Sequence, residues 1–297
     1  MSSTLYDIVD PAFFSRLDNL ELRAKGIVEG FLQGMHRSPF VGYSVEFSSH
    51  REYVPGDDLR HVNWKLYARQ KKLYVKEYDA ETNMNLHILL DISGSMECAT
   101  SGISKLSYGS TLAAALTHMA LKQRDAVGLT LYADTVIGHL PAKARPHYAN
   151  EILQLIATTK ARPPSDAKRA LHPAVELTRS RGMVVIISDF FDDLDAIITA
   201  IDNLRFRQHE VILFHILDPW ERDLPVGGNV RFRDLETGEE IITRTESIRE
   251  EYVAAIEEWR GAIEEECLNR SVDHVELTTE DLLQRALVDY LAKRSKV

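Results

Sequence analysis

The stretch His87-Ile-Leu-Leu-Asp-Ile-Ser-Gly-Ser-Met96 decides the fold. The run Leu86–Leu90 is short, continuous and apolar, as expected of a strand buried on both faces. The chain then turns polar: Asp91, Ser93 and Ser95 alternate with Ile92 and Gly94, and the glycine lets the loop fold back. A strand ending in such a loop can present three oxygen donors to one divalent cation.

Outward from this strand the chain alternates. Leu106–Gln123 is alanine-rich and helical, Ala126–Tyr132 is a strand, and Thr135–Leu140 is an edge strand beside it. Helical periodicity marks Tyr148–Thr158, Ala170–Arg179 and Leu194–Phe206, with a second buried strand at Met183–Ser188. Glu210–Ile216 is a further strand, and Gly227–Ile242 a hairpin turning at Glu236-Thr-Gly-Glu239. A long amphipathic helix (Ser247–Leu268), a short strand (His274–Leu277) and a final helix (Thr279–Arg294) follow. This alternation predicts an α/β fold: a doubly wound, mostly parallel sheet flanked by helices.

Residues 1–80 have another rhythm and predict an N-terminal appendage packed on a core domain of 81–297. A helical pattern from Pro11 to about Gly30 leads into extended structure at Phe40–Arg51. Turn chemistry at Pro55-Gly56-Asp57-Asp58 follows, then a basic, aromatic run from Arg60 to Lys72 and an alternating strand from Leu73.

In a sheet of this kind, ligands collect at the carboxyl ends of the strands where strand order reverses. Asp91 ends one buried strand and Asp189 follows another, so both point to one rim. Two carboxylates there repel unless a cation lies between them. Asp and Ser at a strand end also serve as ordinary helix caps, and it is Asp189 that tips the balance toward a metal. Oxygen donors without neighbouring His or Cys select Mg²⁺ or Mn²⁺, with Ca²⁺ the remaining hard-ion candidate.

The net charge of −10 argues against a protein built to coat nucleic acid. Trp64, Tyr67 and Tyr74, between Arg60, Lys65, Arg69, Lys71, Lys72 and Lys76, therefore read as packing residues. Cys98 and Cys267 fit no metal spacing, and the eleven histidines are scattered. Asp192, Asp193 and Asp195 read as helix-capping residues; Glu250-Glu251 and Glu264–Glu266 read as a solvated helix face. The first residues lack a signal-peptide pattern and no apolar run reaches membrane length, so the expectation is a cytoplasmic protein without a transmembrane segment.

The loop resembles the metal-ion-dependent adhesion site of von Willebrand factor A domains, which combines Asp-x-Ser-x-Ser, a hydroxyl from a second loop and a later Asp. Asp91-Ile-Ser93-Gly-Ser95 matches the first element and Asp189 the last. In place of the usual Gly-Gly-Thr stands Pro163-Pro-Ser165-Asp166, which makes Ser165 the candidate for the middle ligand. The chain is also similar to the bacterial family of unknown function numbered 58. That likeness rests on Tyr53-Val-Pro55-Gly56-Asp57-Asp58-Leu-Arg60-His-Val-Asn63-Trp64-Lys-Leu-Tyr-Ala68-Arg69, with Asn63 where the family usually has Asp.

The resemblance implies a protein-interaction module, not an enzyme. A partner carboxylate would complete the shell of a bound ion, and a MoxR-type AAA+ ATPase and an unknown client protein would be the partners. The alternative is a Mg²⁺-dependent phosphoryl-transfer hydrolase of the haloacid dehalogenase kind. Such hydrolases use Asp-x-Asp, where this chain has Ser93, together with a lysine that no sequence pattern here supplies. No P-loop is present either.

Overall fold

The apolar runs pair as their patterning demands. The computed structural model describes residues 20, 22, 24–29, 50–52, 74–76, 84–100, 102–145, 147–162, 171–233, 240–284 and 286–288. The chain divides into two compact units, one of residues 1–34 with 84–297 and one of 35–83. In the smaller unit, β1 (His50–Glu52) and β2 (Tyr74–Lys76) pair antiparallel, His50 opposite Lys76. Pro55, Gly56, Asp57, Asp58, Arg60, Trp64 and Arg69 lie outside the described residues, as do Ser165 and the turn at 236–239.

The larger unit is built on β3 (Asn85–Asp91), β4 (Ala126–Tyr132), β5 (Val136–Lys143), β6 (Met183–Ser188) and β7 (Glu210–Leu217). After a separate antiparallel ribbon of β8 (Asn229–Arg233) and β9 (Glu240–Arg244), β10 (Asp273–Thr278) completes the sheet. Its order is β10-β7-β6-β3-β4-β5, with every neighbour parallel except β5, the antiparallel edge. Counted along the chain, the six strands run third, second, first, fourth, fifth, sixth, the doubly wound order that was expected. Strand order therefore reverses between β3 and β6, where such sheets bind ligands.

Helices cover both faces. α1 (Lys105–Lys122) crosses β3, β4, β6 and β7, with Leu112–Leu116 wholly buried. A side chain at Gly109 would meet Ile187, Ile216 and Leu90 at 3.1–3.3 Å, so glycine lets the helix lie close on the sheet. α2 (Tyr148–Ala157) packs on α1 and β5. On the other face α3 (Leu171–Glu176) and α4 (Leu194–Phe206) enclose Leu89, Val184, Ile186, Val211 and Leu213. The short α5 (Pro219–Asp223) follows β7, and α6 (Thr245–Asn269) runs back to β10. Among the described residues no helix is long and apolar enough to cross a membrane.

Several boundaries differ from the sequence expectation, and three of the differences have a local cause. β5 continues through Pro141 to Lys143, because an edge strand tolerates a residue without an N–H. α3 stops at Glu176, after which Thr178 donates its hydroxyl back to Val175 O at 2.6 Å. At the last helix the Asp281 carboxylate accepts the backbone N–H of Thr278 at 2.6 Å and also its hydroxyl, and helical residues begin at 283.

Candidate functional site

β3 delivers Asp91 to the carboxyl rim with both carboxylate oxygens engaged. Oδ1 accepts the backbone N–H of Ser93 at 2.8 Å, the local turn that Asp makes two residues ahead of itself. Oδ2 accepts the hydroxyl of Ser188, the last residue of β6, at 2.6 Å. Ser188 in turn accepts from Phe190 N at 2.9 Å, so the two central strands are tied at their ends. Past Asp91 a 3-10 turn over Gly94–Glu97 brings Ser95 Oγ to 3.0 Å from Ser93 Oγ. Arg162 N donates to Ile92 O at 2.9 Å, which sets residue 162 beside this loop.

Asp189 stands at the matching end of β6, as expected, but it already has a cation. Lys105, the first residue of α1 and fully buried, donates from Nζ to Asp189 Oδ2 at 2.7 Å and to Glu221 Oε1 at 2.6 Å. The same ammonium lies 4.9 Å from the centre of the Phe191 ring. Among the described residues Asp189 Oδ1 receives a long bond, 3.3 Å, from Phe191 N. Sequence reasoning found no lysine for this rim because the partners of Lys105 lie 84 and 116 residues away. A signal was nevertheless present: a lysine at the start of a helix opposes the helix dipole and needs nearby negative charge. Ser188 and Glu221 were missed for the same reason of distance.

The electrostatics are those of carboxylates short of positive charge. Burial first, and the Asp189 charge second, push the Asp91 carboxyl up to about 7, against hydrogen bonds from Ser188 and Ser93. Burial acts to lower the Lys105 ammonium, but the Asp189 and Glu221 carboxylates outweigh it and hold it above its ordinary value. Glu221 is raised by burial despite the pull of Lys105. Tyr132, beside Asp91, is raised well above the phenol range, by burial first and then by the Asp91 charge.

A cavity of about 40 Å³ opens here, lined by Asp91, Ser93, Ser95, Ser188, Asp189 and Asp192 among others. That exceeds the roughly 10–15 Å³ that one water-sized occupant needs. Phe190, in its wall, has φ +53°, a left-handed conformation that a bulky aromatic residue adopts only under constraint. Among the described residues no three His, Cys, Asp or Glu side chains converge as a metal-holding group, so a cation at this rim would depend on the serine hydroxyls.

The remaining sequence candidates fall into structural roles. Asp193 caps α4 through a bond from Asp195 N at 3.1 Å, and Glu250, Glu251, Glu264 and Glu265 are exposed on α6. His87, His209 and His215 are buried in the core, and both cysteines are free thiols.

A family model described as "Protein of unknown function DUF58" matches residues 49–262. An uncharacterized protein of Mycobacterium tuberculosis is 30% identical over 237 residues, covering 78% of this chain and 74% of that protein. Among solved structures, the conserved hypothetical protein BatB of Bacteroides thetaiotaomicron superposes with TM-score 0.51 at 20% identity, over 72% of this chain and 100% of that one. An aerotolerance-related membrane protein of Bacteroides fragilis gives TM-score 0.50 at 18% identity, with the same coverage. These two structures share the fold.

Proposed function

The chain belongs to the DUF58 family, and from that premise and the oxygen-lined rim we propose that it is a metal-dependent protein-binding module. The carrying observation is the Ser93–Ser95 hydroxyl pair, 3.0 Å apart beside the buried carboxylate of Asp91. Neighbouring ligands of an octahedral Mg²⁺ at 2.0–2.1 Å lie about 3.0 Å apart, so the pair is spaced for one edge of that shell. Direct hydrogen bonding of two hydroxyls gives the same spacing, and the raised Asp91 carboxyl supplies the second argument. A dication would relieve the repulsion that burial and Asp189 impose on it.

In this reading Asp91, Ser93 and Ser95 hold Mg²⁺ or Mn²⁺, Ca²⁺ being the third candidate, and Ser165 adds a hydroxyl from the second loop. Asp189 stands across the rim. The ion keeps an exchangeable position for a carboxylate of the partner, as the adhesion-site resemblance implies. The partners are a MoxR-type AAA+ ATPase and its client. Phosphoryl transfer is less well supported, since position 93 is serine and Lys105 is committed to two carboxylates.

Calorimetric titration with Mg²⁺ and Mn²⁺ tests the metal. Wild type should bind one ion and Asp91→Ala none, with the far-ultraviolet circular dichroism unchanged. Capture of the ATPase or client should fall with metal binding in Asp91→Ala and Ser93→Ala; capture that persists after the metal is lost would reject the mechanism.

A further inference from the structure

We infer that Lys105 is the positioning residue that keeps Asp189 out of the inner shell of the ion and thereby leaves that ion open to a partner carboxylate. The inference rests on the metal-binding reading and deepens it.

Two observations carry it. The ammonium of Lys105 is fully buried and sits between Asp189 Oδ2, at 2.7 Å, and Glu221 Oε1, at 2.6 Å. It is also braced from the far side. Glu221 closes a capping box at α5, accepting Asp218 N at 2.9 Å, while the Glu221 backbone carbonyl accepts the Tyr252 hydroxyl at 2.7 Å. Asp218 in turn accepts the backbone N–H of Thr100 at 2.8 Å and the Thr100 hydroxyl, which fixes the segment between the serine loop and α1. Lys105 is therefore held between two carboxylates, one of which is itself braced, and Asp189 is paired with a buried lysine.

The consequence follows from charge. A dication between two free carboxylates is neutralised and has little attraction for a third. With Asp189 bound to Lys105, the ion faces one uncompensated carboxylate, Asp91, and two neutral hydroxyls. It stays electropositive, and only an anionic group from outside satisfies it. Lys105 thus trades metal affinity for partner affinity.

The test is Mn²⁺ binding, followed by electron paramagnetic resonance, in wild type, Lys105→Arg and the double variant Lys105→Met/Glu221→Gln. The double variant removes one positive and one negative charge, so the net charge of the rim is unchanged and Asp189 is the one carboxylate freed from the lysine. It should bind Mn²⁺ about tenfold more tightly, since a released Asp189 can coordinate directly. Lys105→Arg should restore the wild-type affinity. Equal or weaker binding by a folded double variant, with wild type binding Mn²⁺, overturns the role of Lys105 and leaves the metal reading standing. No Mn²⁺ binding by any variant overturns both. Binding by the double variant alone overturns the metal reading for the wild-type chain and retains Lys105 as the group that keeps the ion out.

Discussion

The two ends of the β3–β6 pair are built on opposite principles. At the amino end the contacts between β3 and the chain entering β6 are neutral hydrogen bonds, with the buried Asp125 carboxylate accepting Met84 N just ahead of β3. The Asn85 side chain donates to Arg181 O at 3.0 Å and the His87 Nε2–H to Ser180 O at 2.9 Å. Gly182 brings the chain so near that a Cβ would fall 2.1 Å from Asn85 O. At the carboxyl end, Asp189 and Glu221 share the buried Lys105 ammonium, and Asp91 lies beside them with hydrogen bonds but no cation. Neutral hydrogen bonds and close contact stabilise at little risk, whereas buried charge is costly unless fully compensated. The same two strands thus carry a structural end and an end held away from its stability optimum, as binding sites commonly are.

The largest effect should come from breaking the charged end on one side only. Lys105→Met leaves the buried Asp189 and the half-buried Glu221 without their cation and should cost about 3–5 kcal/mol in urea unfolding, part of it recovered on adding Glu221→Gln. Stability unaffected by Lys105→Met would mean that the ammonium is not the compensating charge. At the neutral end Gly182→Ala should cost about 3 kcal/mol, because the new methyl meets backbone and not a movable side chain. A tolerated alanine would show that the close approach is not needed.

A third expectation concerns pH. Burial, with smaller contributions from His209 and His139, lowers His87 from 6.5 to about 4, while its bond to Ser180 O opposes this. The folded state therefore favours the neutral ring. The stabilisation is complete above pH 6.5 and is lost as pH falls from 6.5 through about 4, up to about 3 kcal/mol in all. His209, His215 and His274 are lowered by burial and act in the same direction. His87→Gln should flatten the fall of Tm between pH 6.5 and 4, and an unchanged slope would remove His87 from the account. The smallest change should come from Asp91→Asn. At pH 8 it relieves repulsion with Asp189 and should shift stability by no more than about 1 kcal/mol, in the favourable direction, while lowering metal affinity. A loss as large as that of Gly182→Ala would make the rim a structural feature and erase the contrast.

Much of this was legible before any coordinates. Leu86–Leu90 and Met183–Ser188 read as buried strands because continuous apolar runs of that length suit little else, and they form β3 and β6. Asp91 and Asp189 reach one rim because each closes such a strand and the two strands are parallel. The capping role of Asp193 was equally visible, since capping is a local interaction. Lys105 was not, although its position at the start of α1 opposes the helix dipole. The continuation of β5 through Pro141 was hidden as well, because proline ends a strand except at an edge, and which strand is the edge is settled by the sheet.

The sequence by itself determined the alternation of strands and helices, the family signature at Tyr53–Arg69, and the oxygen chemistry of the Asp91–Ser95 loop. All three are written in residues close together along the chain, where periodicity and turn chemistry act. Only the tertiary structure decided how charge is shared at the rim. It placed Lys105 between Asp189 and Glu221, and Ser188 against Asp91, by bringing together residues that are 84, 116 and 97 positions apart. Coulomb interaction depends on distance in space and on burial, and neither exists until the sheet has formed.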